Sequence, residues 1–107
     1  MKLIILNISP TDSIKVNNYL RKLPVYFIKV ANIGGVLTSG TYTYLIKVPK
    51  EIKDEVVKNL ISICKSRKVK MSMVGNVEMG MFHNVQTTQT VGGGSLFVID
   101  LDQFIKL

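Results

Sequence analysis

Apolar and polar positions change period several times along the chain, and each change marks an element. Residues 2–8 are a nearly unbroken apolar run, the pattern of a buried strand. Ser9, Pro10 and Asp12 then supply a capping hydroxyl, a proline at the first helical position and an acid in the first turn. Val16, Tyr19, Leu20 and Leu23 recur at i, i+3, i+4 and i+7, which predicts a helix with one apolar face, stopped by Pro24. Residues 25–31 are rich in β-branched and aromatic types and read as a second strand. Residues 41–48 alternate, with Tyr42, Tyr44, Ile46 and Val48 on one side and Thr41, Thr43 and Lys47 on the other. Leu45 breaks that pattern on the polar side.

Pro49 opens a second helix whose apolar template is Val57, Leu60, Ile61 and Cys64, widened by Ile52 and Val56. Residues 69–74 and 95–100 read as further strands, and Asp100 as the cap of a short terminal turn ending in Phe104 and Leu107. Residues 75–90 have little apolar periodicity, although Gln86-Thr87-Thr88-Gln89-Thr90 suits one side of a hairpin. Structureless loops longer than ~12–15 residues in a compact domain are usually functional or mobile. This stretch is therefore expected to be the most mobile, and to order on binding a ligand or partner.

The order is β-α-β-β-α-β with an extra strand near the C-terminus. It predicts an α+β, ferredoxin-like sandwich, one domain over residues 1–107. In such a domain both helices cover one face of the sheet. Yet Leu3-Ile4-Ile5-Leu6 and Leu96-Phe97-Val98-Ile99 are apolar on both faces, as strands buried on both sides are. Too little chain remains to cover the second face, so another copy is the expected cover, in a closed symmetric oligomer.

Composition narrows the setting. A hydrophobic content of 47% is high for a free-standing monomer of 107 residues, yet no apolar run approaches the ~20 residues that span a bilayer. The apolar segment after Lys2 is shorter than a signal-peptide core of roughly 7–15 residues. The one cysteine, Cys64, has no internal disulfide partner, in keeping with a reducing compartment. A cytoplasmic location is expected. The net charge of +7 favours anionic partners. Much of it is a solvated helix face, with Glu51, Asp54 and Glu55 at the start and Lys65, Arg67 and Lys68 past the end, as the helix dipole favours.

Enzymatic groupings are missing: His83 stands alone in a polar stretch, and Cys64 sits among apolar neighbours as a small hydrophobe. Met71, Met73, Met79 and Met81 offer soft ligands for Cu(I), but methionines at such positions more often fill apolar gaps. No metal or cofactor is expected. Two glycine turns stand out instead: residues 31–40, holding Gly34, Gly35 and Gly40, and residues 91–95, holding Gly92, Gly93 and Gly94. Neither matches a Walker A or a dinucleotide-binding loop. Each reads equally as a plain turn or bulge. Together with Thr38, Ser39, Thr41, Val36 and Leu37 they offer amides, hydroxyls and apolar surface for a flat base and its phosphates. The basic run Lys65-Ser66-Arg67-Lys68-Val69-Lys70 raises nucleic-acid binding as a further reading, weakened by the lack of interleaved aromatics.

At these residues the chain resembles the PII-like cyclic di-AMP receptors of Gram-positive bacteria. The matched blocks are residues 1–5, 29–37, 39–40, 64–67, 91–93, 97–98 and 102–104, in one order and nearly end to end. The resemblance implies a PII-like homotrimer, ligand in clefts between subunits, two mobile loops beside each cleft, and signalling through an unidentified protein partner without catalysis. It carries ligand-contact roles to Gly34, Gly35, Val36 and Leu37, and to Gly92 and Gly93. Val36 stands where the family has phenylalanine, and Thr41 where it has asparagine. Pro24-Val25-Tyr26-Phe27-Ile28 replaces the family's Asn-Phe-Arg-x-Thr, so Tyr26 and Ile28 occupy polar ligand positions. Losing a charged and several neutral hydrogen bonds there weakens cyclic di-AMP binding by ~3–6 kcal/mol. Tyr26 stacking on a base and Lys29 supplying charge are the available compensations. A paralogue that has lost its ligand and acts as an interaction module is the alternative.

Overall fold

A computed structural model describes residues 1–31, 40–72 and 86–107. Strand β1 (Lys2–Ile8) is followed by a 3-10 turn over Pro10–Asp12, in which the Ser9 hydroxyl accepts from the Thr11 amide, as the capping signal anticipates. Helix α1 (Ser13–Arg21) ends before Leu23, which packs on the core from the loop beyond it. Next come β2 (Tyr26–Ala31), β3 (Tyr42–Val48), a 3-10 turn at Lys50–Ile52, and α2 (Lys53–Cys64). The chain closes with β4 (Arg67–Ser72), β5 (Gln86–Val91) and β6 (Gly94–Asp100). Residues 101–107 take no regular structure, in place of the expected terminal turn.

Four strands form an antiparallel sheet in the order β2-β3-β1-β6. This is the ferredoxin-like order, with β6 as its last strand. The addition to that pattern is a hairpin: β4 and β5 pair antiparallel in their own two-stranded sheet between α2 and β6. Pairing with β5 moves β4 two residues earlier than hydropathy alone suggests.

Alternation along the strands builds the core. Ile4, Leu6 and Ile8 of β1 and Tyr44, Ile46 and Val48 of β3 meet Val16 and Leu20 of α1 and Val56, Leu60 and Cys64 of α2. The expected α2 stripe holds at Val56, Leu60 and Cys64, which are buried, and at Ile52 and Val57, which pack on the core; Ile61 departs from it at 53% exposed, and Ile63 packs on the core instead. The Tyr44 hydroxyl lies under α1, 2.7 Å from the Ser13 Oγ, and donates to Asn17 Oδ1 at 2.7 Å.

The opposite face is open. Cross-strand register aligns Phe97, Ile5, Leu45 and Ile28 in one row and Ile99, Leu3, Lys47 and Tyr26 in the next. The misplaced Leu45 belongs to this second apolar face. Phe97 is 57% exposed on it, and Tyr26, Ile28, Val30 and Ile99 are exposed as well. Among the described residues no helix is long and apolar enough to cross a membrane.

Candidate functional site

The positions singled out from the sequence fall into three groups. Gly34, Gly35, Val36 and Leu37 lie outside the described residues, as do Met73, Met79, Met81, His83 and most of the stretch expected to be mobile. Tyr26 and Ile28 are on β2, at one edge of the sheet. Gly92 and Gly93 precede β6, at the other edge.

The two edges are also offset along the strands. Gly94 pairs with Ile8, Ile8 with Tyr42, and Tyr42 with Ala31. The glycine turn therefore lies at the end of the sheet where Thr41 enters β3, whereas Tyr26 starts β2 at the other end. With a rise of about 3.3 Å per residue and about 4.8 Å between strands, Tyr26 and the glycine turn are roughly 20 Å apart. One chain does not bring them together.

The glycine turn is closely fitted. Gly92, Gly93 and Gly94 have φ of +79°, +84° and +144°. A Cβ on Gly92 would stand 2.6 Å from Arg67 Nη1 and 2.8 Å from the Lys65 carbonyl oxygen, and one on Gly94 would stand 2.0 Å from the Asn7 carbonyl oxygen. Glycine is the residue that takes this path without a clash. The Gly93 amide donates to the Cys64 carbonyl at 2.6 Å, so this donor is engaged within the subunit.

Beside the turn is a cavity of about 420 Å³. Leu6, Ile8, Leu60, Ile61 and Leu96 make its apolar wall, and Cys64, Ser66, Ser95 and the Gly93 backbone add polar atoms. Its size and wall suit a flat apolar group with a polar edge. Burial pushes the Cys64 thiol up to about 11, Asp12 adding to the shift and Arg67 opposing it, so it lines the cavity as a neutral group.

A buried ion pair underlies the turn. Asp12 is 0% exposed, and its Oδ1 accepts from Arg67 Nη2 at 2.8 Å. Arg67 Nη1 also donates to the Lys65 carbonyl at 3.2 Å and reaches the Ile63 carbonyl at 3.5 Å. One guanidinium thus joins the start of α1, the end of α2 and the backbone beneath Gly92. In the sequence, Asp12 and Arg67 were legible only as favourable helix-end charges; their pairing is tertiary.

Around Tyr26 the structure assembles further groups. The Phe104 ring lies 5.0 Å from the Tyr26 ring, Lys47 Nζ is 4.1 Å from the Phe104 centroid, and Lys106 Nζ is 5.6 Å from that of Tyr26. Lys29, considered as a charge donor, lies over the Tyr42 ring at 4.5 Å. Among the described residues no group of three or more His, Cys, Asp or Glu is placed to hold a metal.

The sheet order β2-β3-β1-β6, with both helices on one face, defines an α+β protein of ferredoxin-like fold. Within that class, the chain belongs to the cyclic-di-AMP receptor family, whose model matches residues 1–107. A functionally unknown protein from Pediococcus pentosaceus ATCC 25745 has a similar solved structure. Its TM-score is 0.76 at 24% identity, covering 99% of this chain and 96% of that one, a likeness of fold. No curated protein matches the chain. The family is one of receptors, which supports signalling through a bound nucleotide.

Proposed function

We propose that residues 1–107 form one PII-like domain that works as a cytoplasmic homotrimer, taking cyclic di-AMP or a related small nucleotide in clefts between subunits. No catalysis is involved; the bound ligand changes loop order and so the choice of protein partner. The observation that carries this reading is the separation of Tyr26 from Gly92 and Gly93 on opposite edges and ends of one sheet, with Ile28 midway along the Tyr26 edge. A head-to-tail ring would set the β2 edge of one copy beside the β6 edge of the next. The open face bearing Ile28, Leu45, Ile5 and Phe97 supplies the apolar surface that such a ring buries. In that cleft the cavity beside Gly93 takes a base, and Tyr26 offers a ring for stacking.

Calorimetry with cyclic di-AMP, other cyclic dinucleotides and ATP tests the ligand; absence of saturable heat with every one removes the nucleotide claim. Sedimentation equilibrium tests the assembly: three subunits for the native chain, dispersal to monomers for Phe97→Lys. A native monomer at micromolar concentration defeats the ring.

A second reading rests on the same β2 positions. Tyr26 and Ile28 offer rings and methyl groups where the ligand-binding pattern calls for cationic and hydroxyl groups. A ligand-free interaction module follows if a captured partner binds equally with and without nucleotide.

A further inference from the structure

We propose that residues 102–107 are an inhibitory strap, with Phe104 held against the Tyr26 ring that a ligand base would use. The proposal rests on the nucleotide reading above and adds a regulatory element to that site. After β6 ends, the Leu101 amide donates to the Met1 carbonyl at 3.2 Å. From that anchor the chain reaches β2, the far edge of the sheet, where Phe104 meets Tyr26 at 5.0 Å with the rings tilted by 54°. Lys47 of β3 covers Phe104, and Lys106 of the tail covers Tyr26.

Beyond Leu101, Phe104 is the only side chain of the tail that is partly buried; Ile105 and Leu107 are exposed. A segment held by one aromatic pair and two cation–π contacts opens readily, because contacts of this kind together shift an equilibrium by roughly tenfold. Its release changes the chemistry of the corner. The Tyr26 ring is uncovered, and the ammonium groups of Lys47 and Lys106 leave their rings and become available to phosphate. Strap and planar anionic ligand compete for the same groups. The closed form lowers apparent affinity by the fraction of time it is open.

Three variants test this: Phe104→Ala, a chain ending at Leu101, and Ile105→Ala as a control on an exposed position. Tyr26 ring resonances, read by NMR without ligand, report docking. Calorimetry with cyclic di-AMP reports competition. Phe104→Ala and the shortened chain are expected to shift the Tyr26 resonances and to bind about tenfold more tightly than the native chain, with Ile105→Ala unchanged. Unmoved Tyr26 resonances overturn the docked strap. Saturable binding at equal or lower affinity in Phe104→Ala overturns the competition and leaves the receptor reading intact. No binding by any form overturns both.

Discussion

Replacing Arg67 with methionine removes the partner of a carboxylate that has no other among the described residues. Asp12 is fully enclosed, its Oδ1 is met by Arg67, and its Oδ2 has no hydrogen-bond partner among the described residues. Breaking a buried ion pair from one side costs about 3–5 kcal/mol, since a desolvated charge is left behind. Arg67 is 34% exposed, so water can take up part of the vacated space and the lower end applies, about 3 kcal/mol. For a domain of this size that lowers the melting temperature by roughly 12–24 °C. Asp12→Asn leaves Arg67 with solvent on one side and costs less, about 1–2 kcal/mol. The double variant removes both charges together and should fall short of the summed losses by at least about 1.5 kcal/mol. Urea unfolding followed by far-ultraviolet circular dichroism, at one fixed protomer concentration, measures all four corners of the cycle. A loss below about 1 kcal/mol for Arg67→Met, or simple additivity, would refute the claim that this pair holds α1 to the α2–β4 turn.

Other outcomes follow from the same geometry. Gly94→Ala drives a Cβ into the Asn7 carbonyl at a strongly positive φ, so the β1–β6 pairing must open; a stability loss above about 4 kcal/mol is expected, and a near-native melting curve counts against the fit. Tyr44→Phe strands Ser13 and Asn17 beneath α1 and should cost about 1–2 kcal/mol in urea unfolding; an unchanged midpoint would mean water replaces the hydroxyl. The Cys64 thiol should resist alkylation at pH 8 in the native protein and react once it is unfolded. Its raised value also sets a sign: the folded chain keeps a proton that the unfolded chain releases, so stability declines as pH rises from 9.0 towards 11. Fast native labelling would show the thiol to be open to solvent.

Much of the candidate site was beyond the reach of pattern alone. Gly92 and Gly93 announce a turn, but the crowding that requires glycine at Gly92 comes from Arg67 and the Lys65 carbonyl, which approach from sequence positions far away. Tyr26 shows as a ring in a polar slot, yet its neighbours Phe104, Lys47 and Lys106 come from β3 and the tail. On α2 the expected stripe holds at Val56, Val57, Leu60 and Cys64 and fails at Ile61, because Leu60 and Ile61 are both apolar and a 3.6-residue repeat does not choose between adjacent positions.

Element order, the alternation of β1 and β3 and the excess of apolar residues on β1 and β6 are written in the chain, because they arise from local periods and side-chain chemistry. Strand neighbours, the buried Asp12–Arg67 pair and the placing of Tyr26 and the glycine turn on opposite edges are not. They depend on which segments touch after collapse, and contacts between distant segments leave no periodic trace along the chain.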